Sequence, residues 1–204
     1  KSLKNMDCLF ATIEVPGQAT INILAKKLPQ LILSLDFPKT MSWGEMEITY
    51  ARPLRWILAL HGEHIVPFVV GDILSGNTSS GHPQLCSGEC TIPKAESYLS
   101  ILRDNKVMVD IAERKKSIIT QLENIEREGG YTVIEQEKVI PQVLHLVEWP
   151  MLTTATFDES FLRVPKEVLT SEMVEHQKYF PVTDKKGQLV NHFVITANNT
   201  PSDD

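Results

Sequence analysis

The chain has 204 residues, 42% hydrophobic and 23% charged, which suits one sizeable globular core or two small ones. No apolar run reaches the ~18 residues of a membrane span and no basic-then-apolar leader opens the chain, so no membrane partner is expected. A formal net charge of −6 argues against a surface that grips nucleic acid over its whole face, and leaves room only for a local basic patch.

Cys8 to Val15 is β-rich and stops at the turn dipeptide Pro16-Gly17. Ile21, Leu24, Leu28, Leu31, Ile32 and Leu35 recur at steps of three and four, the stripe of an amphipathic helix. Pro29 interrupts this helix and predicts a split, and Phe37-Pro38 ends it. Glu47 to Tyr50 is a short strand candidate. Leu54–Leu60 and Ile65–Val70 are apolar runs that form a hairpin around His61-Gly62-Glu63-His64. Gly71 to Ser80 has the composition of a loop. A helix follows over about Ala95 to Asn105, and Asp110 is placed to cap a longer one that runs to Glu128 and closes at Gly129-Gly130.

Glu135 to Leu146 predicts another helix, bent or split at Pro141, and Met151 to Thr156 a strand. Pro165 suits the first turn of a helix through Glu175. The chain closes on a hairpin with Tyr179 to Val182 on one side of Asp184-Lys185-Lys186-Gly187 and Phe193 to Ile195 on the other. This mixed order predicts an α+β fold with a largely antiparallel, mixed sheet and packed helices, in a single domain over residues 1–204. Lys1 in place of Met, and a tail of Ser202-Asp203-Asp204, give the expectation that the chain is a piece of a longer polypeptide.

Signatures of catalysis are missing from the sequence: there is no phosphate loop, no dinucleotide fingerprint, no nucleophile elbow and no His-Glu-x-x-His. His82, Cys86 and Cys90 are spaced by fours, but three ligands fall short of the tetrahedral four that structural zinc uses, so no metal is expected. The three cysteines give no disulfide framework, and reduced cytosolic thiols are the default. His82 after Gly81 either orders a loop by hydrogen bonding or meets a phosphate as a polar loop residue. Glu172 and His176, four apart on the last helix, make an ordinary intrahelical pair. Arg52 and Arg55 flank an apolar strand, where one-sided burial predicts an ion pair for at least one of them, with Glu148 as a partner.

The residues suited to RNA contact are few. Arg114, Lys115 and Lys116 form the one triple basic run, near a helix start where positive charge opposes the helix dipole. Lys178 and Tyr179 alternate across a strand, and Lys185 and Lys186 occupy a hairpin tip. Each also has a plain alternative, a solvated face or a core aromatic.

Several blocks resemble the beta subunit of bacterial glycyl-tRNA synthetase. They are Met41-Ser42-Trp43-Gly44 with Arg52-Pro53, Gly81-His82, Asp110 with Arg114-Lys115, Leu146-Val147-Glu148-Trp149-Pro150, Phe161-Leu162 with Val164-Pro165, and His176-Gln177-Lys178-Tyr179-Phe180-Pro181-Val182 with the hairpin ending in Ala197-Asn198. They keep one order over about 160 residues.

The resemblance implies a cytoplasmic glycine-tRNA ligase in which an alpha moiety forms the adenylate with ATP and Mg²⁺. This segment then has no cofactor and no catalytic residue of its own. Its implied partners are that alpha moiety, tRNA(Gly) and the rest of the beta chain. It also implies an architecture similar to the editing-type domain of the phenylalanyl-tRNA synthetase beta chain. Editing itself is not expected, because every competitor is larger than glycine and is excluded sterically. The competing reading is an architectural domain that contacts only protein.

Overall fold

The computed structural model describes residues 2–3, 6–7, 11–14, 16–44 and 47–199. It divides into two compact units, residues 1–77 and 78–204. The architecture is α+β, and every strand pair but one is antiparallel among the described residues. In the β-rich stretch expected before Pro16, residues 8–10 and 15 lie outside the described residues, and 11–14 carry no strand.

In the first unit, helix α1 (Thr20–Leu33) sets Leu24, Ala25, Leu28 and Ile32 against buried Val66, Phe68 and Val70. Pro29 lies inside this helix and does not split it. A proline removes only one backbone donor, and the packed apolar stripe runs on past it to Ile32. The hairpin around Gly62-Glu63 forms as expected, with Leu60–His61 paired to His64–Ile65 and Gly62 at a φ of 64°.

The 71–80 segment departs from expectation: Ile73–Gly76 and Thr78–Ser80 are strands. Ser75 explains the first. Its buried hydroxyl accepts from the N–H of Phe68 and donates to the carbonyl of Val66, so a polar residue sits in the sheet with its bonds satisfied. Arg52 and Arg55 also differ. Their segment is irregular and both are exposed, and neither joins an ion pair among the described residues. Water solvates both guanidinium groups, so burial never forces a partner.

The second unit opens with the strand Thr78–Ser80 paired to Glu89–Thr91, then a 3₁₀ turn at Ala95–Ser97 that runs into α2 (Tyr98–Asp104). Helix α3 (Ile111–Gly129) starts where the sequence places it: the Asp110 carboxylate accepts from the N–H groups of Ala112 and Glu113. It ends on Gly130 at a φ of 67°. Asp110→Ala is expected to cost about 1 kcal/mol, read from denaturant unfolding, because two amide donors lose their acceptor.

Helix α4 (Gln136–Val143) is shorter than its predicted span and likewise keeps Pro141 inside. The main sheet orders its strands as Thr132–Val133, Phe180–Thr183, Leu189–Ala197 and Met151–Thr156, antiparallel throughout. One face of it, carrying Phe180, Val182 and Val194, packs with Ile118 and Leu122 of α3 and Val139, Ile140 and Val143 of α4.

Helix α5 (Lys166–Ser171) continues as a π-helical turn over Glu172–Gln177 and closes at Lys178, whose φ is 60°. The wider winding re-pairs the side chains. Glu172 accepts from Gln177, five residues on, at 3.1 Å, in place of the expected partner His176. Among the described residues no helix is long and apolar enough to cross a membrane.

Candidate functional site

The residues singled out for RNA contact fall into two groups within the second unit. Lys115 and Lys116 are exposed on the first turns of α3. Arg114 beside them is partly buried, and its Nη1 donates to the carbonyl of Val147 at 2.7 Å, which ties the 143–150 segment to the helix. The other group lies at the closing hairpin, but Lys178 and Tyr179 do not alternate across a strand as expected: both precede the strand Phe180–Thr183, because the π-turn closes at Lys178 in a left-handed conformation. Lys178 is partly buried and its ammonium bonds the carbonyl of Glu175. Tyr179 stacks on Phe193 with centroids 4.9 Å apart, and Phe157 lies 6.3 Å from Phe193.

Lys185 and Lys186 are exposed at the hairpin tip, where the Asp184 carboxylate accepts from the backbone N–H groups of Lys186 and Gln188. That tip adjoins Thr132, just past the far end of α3. The helix rises 1.5 Å per residue, so roughly 24 Å separates Arg114 from Gly130 along it. The structure therefore keeps the two basic groups apart.

A cleft of about 440 Å³ opens between the start of α4, α5 and the hairpin tip. It mixes Lys138 and Lys166 with Glu135, Glu167 and Glu175, so its charges largely cancel. The Glu135 carboxylate bonds Lys138 at 2.6 Å and holds its ammonium above the ordinary lysine pKa, first through the hydrogen bond and then through the charge.

The most constrained cluster joins segments far apart in the sequence. His82 is 1% exposed. Its Nδ1 accepts from the backbone N–H groups of Gln84 at 3.3 Å and Leu85 at 3.2 Å. Its own N–H donates to the carbonyl of Asn105, and its carbonyl accepts from Cys86. Two amides aimed at Nδ1 put the ring proton on Nε2. That atom is buried without a hydrogen-bond partner and lies 4.0 Å from Oε2 of Glu148.

Glu148 accepts in turn from Nδ2 of Asn198. Oδ1 of Asn198 accepts from the N–H groups of Glu148 at 2.8 Å and Trp149 at 3.0 Å, which fixes the amide's orientation. Met108 donates to the carbonyl of Glu148, and Gln121 bonds both Pro150 and Leu152. The Lys106 ammonium sits 4.9 Å above the Trp149 ring.

Of the two readings open for His82, loop ordering is what its bonds display. The spacing of His82, Cys86 and Cys90 does not become a ligand set. The Cys86 thiol donates to Asn105 at 3.4 Å, and Cys90 is buried in a strand opposite Ser79. Among the described residues no group of three or more His, Cys, Asp or Glu side chains could hold a metal ion.

In the sequence Gly81-His82, Glu148-Trp149 and Asn198 stand in separate blocks, and nothing there marks Asn105 or Lys106. The available signal was that the blocks carry polar residues at the ends of apolar runs, where a polar side chain needs a partner.

A family model described as glycyl-tRNA synthetase beta subunit matches residues 1–204. The "Glycine--tRNA ligase beta subunit" of Desulforamulus reducens is 38% identical over 98% of this chain and 29% of its own length. That of Bacillus subtilis is 38% identical over 97% of this chain and 29% of its own length. The "Glycine--tRNA ligase" of Chlamydia trachomatis serovar D is 39% identical over 100% of this chain and 20% of its own length. The chain thus spans between a fifth and a third of the length of these relatives.

Proposed function

The chain belongs to the glycyl-tRNA synthetase beta-subunit family, and from that premise we propose that it works within a cytoplasmic glycine-tRNA ligase, docking tRNA(Gly) and supporting assembly with the alpha moiety. Adenylate formation, with its ATP and Mg²⁺, belongs in this reading to the alpha moiety. The family match over residues 1–204 is the observation that carries it. The relatives' names supply the reaction class. The exposed lysines at 115, 116, 185 and 186, with Lys178 and Tyr179 beside the hairpin, supply cations and an aromatic ring of the kind RNA backbones and bases meet. The same family reading extends to an architecture similar to the editing-type domain of the phenylalanyl chain, without its chemistry.

The test is made in the intact enzyme with Lys115→Ala and Lys116→Ala combined. Arg114 is left in place, because its guanidinium holds Val147 and its loss would confuse binding with folding. The KM for tRNA is expected to rise, and the salt dependence of binding to fall by about one unit for each phosphate that is no longer neutralised. The KM values for ATP and glycine stay fixed. Stability stays within about 0.5 kcal/mol, since both side chains are exposed. An unchanged salt slope would move the assignment to the architectural reading. The net charge of −6 and the exposed side chains of Leu146, Phe161 and Val168 favour that second reading.

A further inference from the structure

The Glu148 cluster is more organised than a surface carboxylate needs to be. Oε2 accepts from the amide of Asn198 and is the oxygen nearest the buried, unpartnered Nε2–H of His82, 4.0 Å away. The other oxygen accepts no hydrogen bond among the described residues, and the side chain is 49% exposed. Asn198 cannot flip, because its carbonyl already holds two backbone N–H groups. The backbone under the carboxylate is held from three further directions, by Arg114, Met108 and Gln121. A carboxylate fixed in this way accepts hydrogen bonds and offers none, so it selects a donor-bearing group.

Its neighbours narrow the choice. Lys106 rests on the ring of Trp149, the next residue in the chain. The Lys106 ammonium on that ring repels an incoming arginine and attracts phosphate. A ligand with both a donor edge and a phosphate fits this pattern.

We propose that Glu148, oriented by Asn198 and His82 and flanked by Lys106, forms a seat for one unpaired guanine nucleotide of the tRNA. The adjacent N1–H and N2–H donors of guanine meet the carboxylate, and its backbone phosphate meets Lys106. Glu148 is the reading residue; His82 and Asn198 are positioning residues. This rests on the tRNA-docking reading above.

The experiment uses the intact enzyme and its tRNA, with each unpaired guanine replaced in turn by inosine, which lacks the N2 amino group. Wild-type enzyme is expected to lose affinity about 5- to 150-fold at one position, the span of a single good base contact. Glu148→Gln, checked for folding by its melting curve, binds the guanine and inosine forms of that position alike. Lys106→Ala weakens both forms equally and lowers the salt slope.

Photocrosslinking of the same tRNA, mapped by mass spectrometry, separates the two levels of the argument. If crosslinks fall within this segment but no inosine substitution matters, the guanine seat is overturned and tRNA docking stands. If no crosslink falls anywhere in the segment, the docking reading goes with it. A Glu148→Gln enzyme that loses subunit assembly and keeps its tRNA affinity would assign the carboxylate to a protein partner and overturn the seat.

Discussion

Phe180→Ala is expected to destabilise the folded chain by about 3–5 kcal/mol, enough to unfold a domain of ordinary stability at physiological temperature. Phe180 is 0% exposed and belongs to the cluster that joins α3, α4, Val174 of the π-turn and the two strands of the closing hairpin. Truncation to a methyl removes the ring's burial and leaves a cavity that four separate elements would have to move to fill, and close packing leaves them little freedom to do so. Phe180→Leu keeps most of the volume and is expected to cost less than half as much. Tyr179→Ala, one residue earlier on the other face, removes a partly exposed ring stacked on Phe193 and is expected to cost less than Phe180→Ala. Denaturant unfolding followed by circular dichroism reads all three. A Phe180→Ala midpoint close to wild type would show that the cluster does not hold the unit together.

The second large effect is at Gly81. A Cβ built there would lie 2.3 Å from the carbonyl oxygen of Cys86 and 3.2 Å from Asn105. The obstacle is backbone, which cannot swing aside as a flexible side chain does. Gly81→Ala is therefore expected to cost about 2–4 kcal/mol by forcing the 81–88 loop outward. The damage is local in kind. The loop's bonds to the Asn105 carbonyl and to Nδ1 of His82 break first, while the main sheet keeps its core. Hydrogen exchange should show weakened protection at His82 and Cys86 with the amides of the Phe180–Thr183 strand still protected. Wild-type exchange at His82 in this variant would contradict the account.

Local chemistry explains why much of the fold was legible beforehand. Asp110 and Gly130 mark the two ends of α3 because each completes bonds within a few residues of itself. The closing hairpin of Phe180–Thr183 with Leu189–Ala197 forms where the sequence predicts one, because two apolar runs flank a turn. The hairpin turn at Asp184 to Gly187 follows from an aspartate that bonds its own backbone and a glycine at a φ of 76°. The family resemblance is equally a property of the sequence, since it rests on the identity and order of residues.

Other features depend on partners that are remote in the chain. Ser75 is in a strand because Val66 and Phe68 satisfy its hydroxyl, which the composition of its own segment does not reveal. The winding of Glu172–Gln177 widens to a π-turn, and helical periodicity read at four-residue steps then pairs the wrong side chains. Arg114 looks in sequence like a free cation beside two lysines, until Val147 takes its guanidinium.

What the sequence by itself determined is the family, the α+β class, the capped ends of α3 and the closing hairpin. Only the tertiary structure decided which polar groups meet: that His82 faces Glu148, that Asn198 closes over it from 50 residues away, and that Lys115 stays exposed where Arg114 does not. The physical reason is range. Caps, turns and periodicity act within a few residues, whereas a buried hydrogen bond is chosen by whichever partner the packed core brings within about 3 Å.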